Sequence, residues 1–106
     1  MANGILGVLD QAGTTLEILY TVPAATFSVV TLNICNRSSA PRTVRVALSA
    51  TGTPTPQEYI EYDVEILAKG VLERTGIVLD ATKNIVVYAD SLGCGAQVFG
   101  LETATS

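Results

Sequence analysis

An apolar period of two runs through this chain and limits what it can fold into. Leu16, Ile18, Tyr20 and Val22 occupy every second position and stop at Pro23. Val44, Val46 and Leu48 alternate with Arg45, Ala47 and Ser49, and Ile60, Tyr62, Val64 and Ile66 alternate with Glu61, Asp63 and Glu65. Successive side chains of a β-strand point to opposite faces, so this pattern predicts strands with one dry and one wet side. β-Branched residues dominate the apolar set, which suits a pleated surface. No segment carries a useful amphipathic helical stripe. Phe27 to Cys35 is apolar on both faces, as expected of a central strand. Val71 to Val78, Ile85 to Ala89 and Cys94 to Leu101 complete the set. Gly95 and Gly100 in the last favour a bend, a bulge or the close approach of another backbone.

Turn signals punctuate these runs: Pro23-Ala24-Ala25, Asn36 to Pro41, Ala68-Lys69-Gly70, Asp80 to Asn84 and Asp90 to Gly93. The Gly93–Gly95 stretch reads as closing a hairpin. Thr51 to Pro56 holds two prolines and reads as the longest connection, with room for one helical turn at Gln57 and Glu58. Turns about every 8–12 residues predict an antiparallel β-sandwich of about seven to eight strands. At 106 residues this is one domain. Residues 15–102 form the sandwich and residues 103–106 a flexible tail. Residues 1–14, with the apolar stretch Ile5 to Leu9, form either an edge strand or an arm that pairs with another copy. The expected core holds Ile18, Tyr20, Leu32, Ile34, Val44, Val46, Ile60, Val64, Val87 and Val98.

Charged residues make up only 15% of the chain against 48% apolar, where about 25% charged is usual. Either Thr, Ser and Ala cover the exposed faces, or neighbouring molecules cover part of the surface. The net charge of −4 opposes binding to a phosphate backbone. Arg37, Arg42 and Arg45 fall close together, and Glu58, Glu61, Asp63 and Glu65 form an acidic stretch. These read as solvated strand faces, or as complementary patches on adjacent copies. No run approaches the ~18 apolar residues of a membrane helix, and Met1 to Asp10 lacks the pattern of a signal peptide. Folding in the cytosol is therefore expected, with Cys35 and Cys94 reduced and serving as small hydrophobes. Without a secretory signal, Asn36-Arg37-Ser38 is not read as a glycosylation acceptor.

Chemistry is sparse. The chain has no histidine, hence neither the commonest general base nor the commonest zinc ligand. No Gly-rich phosphate loop occurs, and no serine or threonine has a visible base partner. Glu61, Asp63 and Glu65 would share one strand face with Cβ atoms about 7 Å apart, loose for the compact oxygen cage of Ca²⁺. No catalytic, metal or cofactor residues are assigned, and an enzyme is not expected.

Several stretches together carry a resemblance. Leu19-Tyr20-Thr21-Val22-Pro23-Ala24, Val30 to Arg37, Glu58-Tyr59-Ile60-Glu61-Tyr62-Asp63, Val71 to Leu79, Val86 to Ala89 and Phe99-Gly100-Leu101-Glu102 follow in order. This series resembles a family of small virion structural proteins of tailed bacteriophages, common in cyanophages. The resemblance implies a place in the virion, synthesis in the host cytoplasm, and partners among copies of itself and major capsid or tail proteins. It supplies no catalytic residues. A short stand-alone domain favours capsid decoration, or cement, over a tail, collar or fibre component. A carbohydrate-binding module for host adsorption is a further alternative. Exposed aromatic stacking faces would distinguish it, and Tyr20, Tyr59, Tyr62 and Tyr88 fall mostly inside the expected strands.

Overall fold

The computed structural model describes residues 3–11 and 13–104. Eight strands follow in order: β1 (Asn3–Asp10), β2 (Glu17–Thr21), β3 (Thr26–Asn36), β4 (Arg42–Ser49), β5 (Tyr59–Ile66), β6 (Val71–Leu79), β7 (Asn84–Ala89) and β8 (Cys94–Ala104). One 3-10 turn, Pro56–Glu58, precedes β5. All pairings are antiparallel, in two four-stranded sheets: β1-β8-β3-β6 (sheet I) and β2-β7-β4-β5 (sheet II). The chain is thus one long hairpin turning at residues 50–58. Its rungs β4–β5, β3–β6, β2–β7 and β1–β8 are dealt alternately to the two sheets, and β3–β8 and β4–β7 complete the pairing. This strand order is the jelly roll. β4–β5 is the one connection that stays within a sheet. The Asp90–Gly93 turn therefore crosses between sheets and closes no hairpin, contrary to the sequence reading.

The core lies between the sheets. Leu32, Ile34, Val44, Val46, Ile85, Val87 and Val98 are fully buried there, with Val22, Val30, Ile77 and Leu79 around them. β3 alternates without interruption, its even-numbered residues inward. β1 lends Leu6 and Leu9 to the same core.

Three expectations need correction. Ile18 is not in the core: it is 49% exposed, while Leu19 and Tyr20 are both buried. A bulge causes this, since Ile18 lies opposite Val86 and Tyr20 opposite Ile85, leaving Leu19 as an extra residue. Ile60 and Val64 are only half-buried, because β5 is an edge strand, although both pack against the core. Thr103 and Ala104 are not a free tail, for β8 continues to Ala104 and pairs them with Phe27 and Thr26. Thr105 and Ser106 lie outside the described residues.

Both cysteines are free thiols, and the register gives the reason. Cys35 lies opposite Gly95 and Asn36 opposite Cys94, which puts the two sulfurs on opposite faces of sheet I. No rotamer change can join them. Burial pushes the Cys94 thiol above its usual range.

Candidate interaction surfaces

The two sheets turn chemically different faces to solvent. On sheet I, cross-strand register places Val78 opposite Val29 and Val29 opposite Leu101. One step along, Thr31 faces Phe99 and Phe99 faces Ile5; the next row is Asn33, Gln97 and Val8. Val78, Leu101, Ile5 and Val8 are each more than half exposed, and Val29 is 44% exposed. Between Val78 and Ile5 this face carries no charged side chain among the described residues. Charge enters in the Asn33 row, where Glu73 lies opposite Asn33, and beyond it Arg37 meets Asp10 at 2.6 Å.

That far end is hollow. Gly95 has no side chain between Cys35 and Asp10, and a depression of about 460 Å³ opens among Asp10, Asn33, Cys35, Arg37 and Gln97.

Sheet II carries aromatic and ionic groups. Arg45 lies between two tyrosine rings, its guanidinium carbon 4.3 Å from the Tyr62 centroid and 4.9 Å from that of Tyr88. Asp63 holds the guanidinium through contacts of 2.6 and 3.4 Å, and this hydrogen bonding stabilises the charged form of Arg45. The Tyr59 and Tyr62 rings meet edge-on, 5.0 Å apart at 86°.

The acidic stretch does not share one face. On β4 Val44 faces Val64 but Val46 faces Glu61, so Tyr62 and Asp63 together oppose Arg45. Asp63 takes a left-handed backbone with φ of 53°, which Asp tolerates better than most residues. Beyond this bulge the parity reverses. Tyr62 turns outward at 57% exposure, while Glu61 turns toward the gap between the sheets and accepts from Arg74 of β6 at 2.5 Å. Glu65 is exposed, and Glu58 is held below the usual carboxylate range by the Thr55 amide and the Ser49 hydroxyl. Glu61, Asp63 and Glu65 thus go to different surroundings. Among the described residues no group of three or more Cys, Asp or Glu converges as a metal site.

Of the basic trio, Arg37 and Arg45 each take a carboxylate of their own chain. Arg42 donates to the carbonyls of Leu92 and Pro41. Asn36 is buried: its amide donates to the carbonyls of Ala40, Ile66 and Leu67, and its oxygen accepts from Ser38. It ties the β3–β4 turn to the β5–β6 turn and has no accessible nitrogen to glycosylate.

Sequence reasoning named neither outer face. The two-sided apolar character of Phe27 to Cys35 did signal the first, since its outward set includes Val29. Nothing local signalled the second, because Tyr62 reaches the surface only through the bulge. Together these features define the class: an eight-stranded jelly-roll domain with one apolar and one aromatic, ion-paired outer face. Comparison with family models, curated proteins and solved structures found no match. No helix among the described residues is long and apolar enough to cross a membrane.

Proposed function

We propose that this chain is a bacteriophage virion structural protein, of the capsid-decoration type, that binds neighbours through repeated contacts on the outer face of sheet I. The observation that carries this reading is the uncharged apolar surface formed by Ile5, Val29, Val78 and Leu101. Four strands about 4.8 Å apart and the two outward rows clear of charge cover on the order of 250 Å². Patches of that size are often functional, yet the area is well below the ~800 Å² per partner of a stable pairwise interface. A contact this small holds only when repeated, and a virion lattice supplies the repetition. The jelly roll adds support by analogy alone, since viral capsid proteins use it alongside lectins and cupins.

The double variant Val78→Glu/Leu101→Glu tests the reading. Both positions are exposed, so the circular dichroism spectrum stays native. Copies per particle should fall at least about tenfold, because each contact then buries an unpaired charge. Unchanged incorporation refutes the proposed face. Electron microscopy of particles carrying the wild-type chain locates it on capsid or tail, and absence from both refutes the virion reading.

A further inference from the structure

The outer face of sheet II holds a cleft that the assembly reading does not use. Ala47 and Val86 belong to this face, outside the cluster between the sheets, yet both are buried. Their cross-strand neighbours are Tyr59 and Ile18. A Cβ on Gly52 would sit 3.3 Å from Cδ1 of Ile18, so the 50–58 connection runs back across this end of the sheet. It forms a wall beside the tyrosines. Pro54, Pro56, Tyr59 and Tyr62 line an open cleft of about 460 Å³ between wall and floor.

The floor is held in place. The Arg45 guanidinium lies against the Tyr62 ring and Tyr59 meets it edge-on, yet Tyr62 remains 57% exposed and lines the cleft. We propose that this cleft binds a neutral saccharide, with a pyranose ring stacked on Tyr62 and bordered by the Tyr59 ring that stands at 86° to it. A pyranose has an apolar C–H face rimmed by hydroxyls, which matches tyrosine rings that pair an apolar body with a polar tip. The cleft volume lies within the ~300–1,000 Å³ of small-ligand sites.

Two observations select this ligand over others. The first is charge. No lining residue is charged, and the carboxylates beside them are committed, Asp63 to Arg45 and Glu58 to the Thr55 amide and the Ser49 hydroxyl. Nothing there rewards an ionic ligand, and the chain's net charge of −4 opposes a polyanion. The second is the edge of β5. An extended peptide would add as a further strand, but the bulge at Asp63 kinks that edge next to Tyr62 and spoils the template.

Affinity electrophoresis of the full chain through gels containing dextran, a neutral galactan or mannan tests this inference. At least one polymer should retard the protein. Tyr62→Ala should weaken that retardation about tenfold, the scale of one lost aromatic stacking contact. Tyr62→Phe should preserve it, and so should Val78→Glu on the opposite face. Because Tyr62 and Val78 are both exposed, all three variants are expected to keep the native spectrum. Failure of all three polymers to retard the protein overturns the inference, as does retardation that survives Tyr62→Ala. Displacement of a bound polymer by a decaproline peptide reassigns the cleft to peptides and overturns it too. None of these outcomes depends on particle incorporation, so this inference and the assembly reading fail separately.

Discussion

Tyr20 shows how one side chain joins the two sheets. It stands on β2 of sheet II, and its hydroxyl reaches the Ser28 hydroxyl at 2.6 Å and donates to a Glu102 carboxylate oxygen at 2.5 Å. Ser28 and Glu102 are cross-strand neighbours on sheet I. Burial, and then the nearby carboxylate, push the Tyr20 phenol from 10.0 up to about 12. The neutral phenol is the form the fold favours. Its contribution is complete below about pH 10 and is lost as pH rises through about 12. Unfolding free energy should therefore decline across that interval, and the Tyr20 phenol should ionise only toward its upper end. Tyr20→Phe should flatten this part of the profile. Denaturant unfolding followed by circular dichroism across this pH range checks it, and a Tyr20→Phe profile as steep as that of the wild type would contradict it. Tyr20 was legible as a core residue from its place in the alternation. Its partners were not, since Glu102 lies 82 residues away. Asn36 is similar: its sequence neighbours suggest a modification motif, and only the carbonyls brought over from the β5–β6 turn reveal a structural anchor.

At the scale of elements, bulges separate pattern from structure. β2, β4 and β5 were visible because a period of two is what half-buried strands impose, β3 was visible as an apolar run, and β1 was left open between an edge strand and an arm. Register within a strand was less secure, because one extra residue moves every later side chain to the other face. β2 shows the effect at Leu19 and β5 at Tyr62 and Asp63. A paired measurement on β2 follows. Leu19→Ala removes a buried side chain and should cost about 2–4 kcal/mol, whereas Ile18→Ala, on an exposed face, should cost under about 1 kcal/mol. Denaturant unfolding of the two variants decides the matter, and the reverse order of costs would restore plain alternation. Gly100 on β8 shows a constraint that the sequence did hint at. A side chain there would strike the Val29 carbonyl of the neighbouring strand, and φ is +155°. The sequence offered a bend, a bulge or close backbone approach at this position, and the structure selects the last.

For the whole molecule, the order of strands decides what each surface contains. Folding one long hairpin into two sheets makes β1 an edge strand of sheet I and places Ile5 and Val8 beside Phe99 and Gln97. The same strand inserts Leu6 and Leu9 into the core, and Asp10 at its end holds Arg37. β1 thus serves stability and surface together. Removing residues 1–10 should lower the melting temperature by roughly 10 °C or more, since a domain of this size loses about 4–8 °C per kcal/mol. Calorimetry of the truncated chain tests this. An unchanged melting temperature would mark β1 as a detachable arm. The Arg74–Glu61 pair across the open side is half-exposed and contributes at most about 1 kcal/mol, so cohesion between the sheets rests on the buried apolar layer.

The sequence by itself determined that this chain is an antiparallel β-sandwich, the strands that follow its first fifteen residues, and the inward positions Tyr20, Leu32, Ile34, Val44, Val46, Val87 and Val98. Those properties follow from local alternation and turn chemistry, which act over a few residues. Tertiary structure alone decided the jelly-roll order, the bulges that turn Ile18 and Tyr62 outward, and the makeup of the two outer faces. A turn such as Asp90–Gly93 has the same composition whether it closes a hairpin or crosses between sheets. Partners far apart in the chain choose between the two. Each surface is assembled from four strands, so neither is written in any one of them.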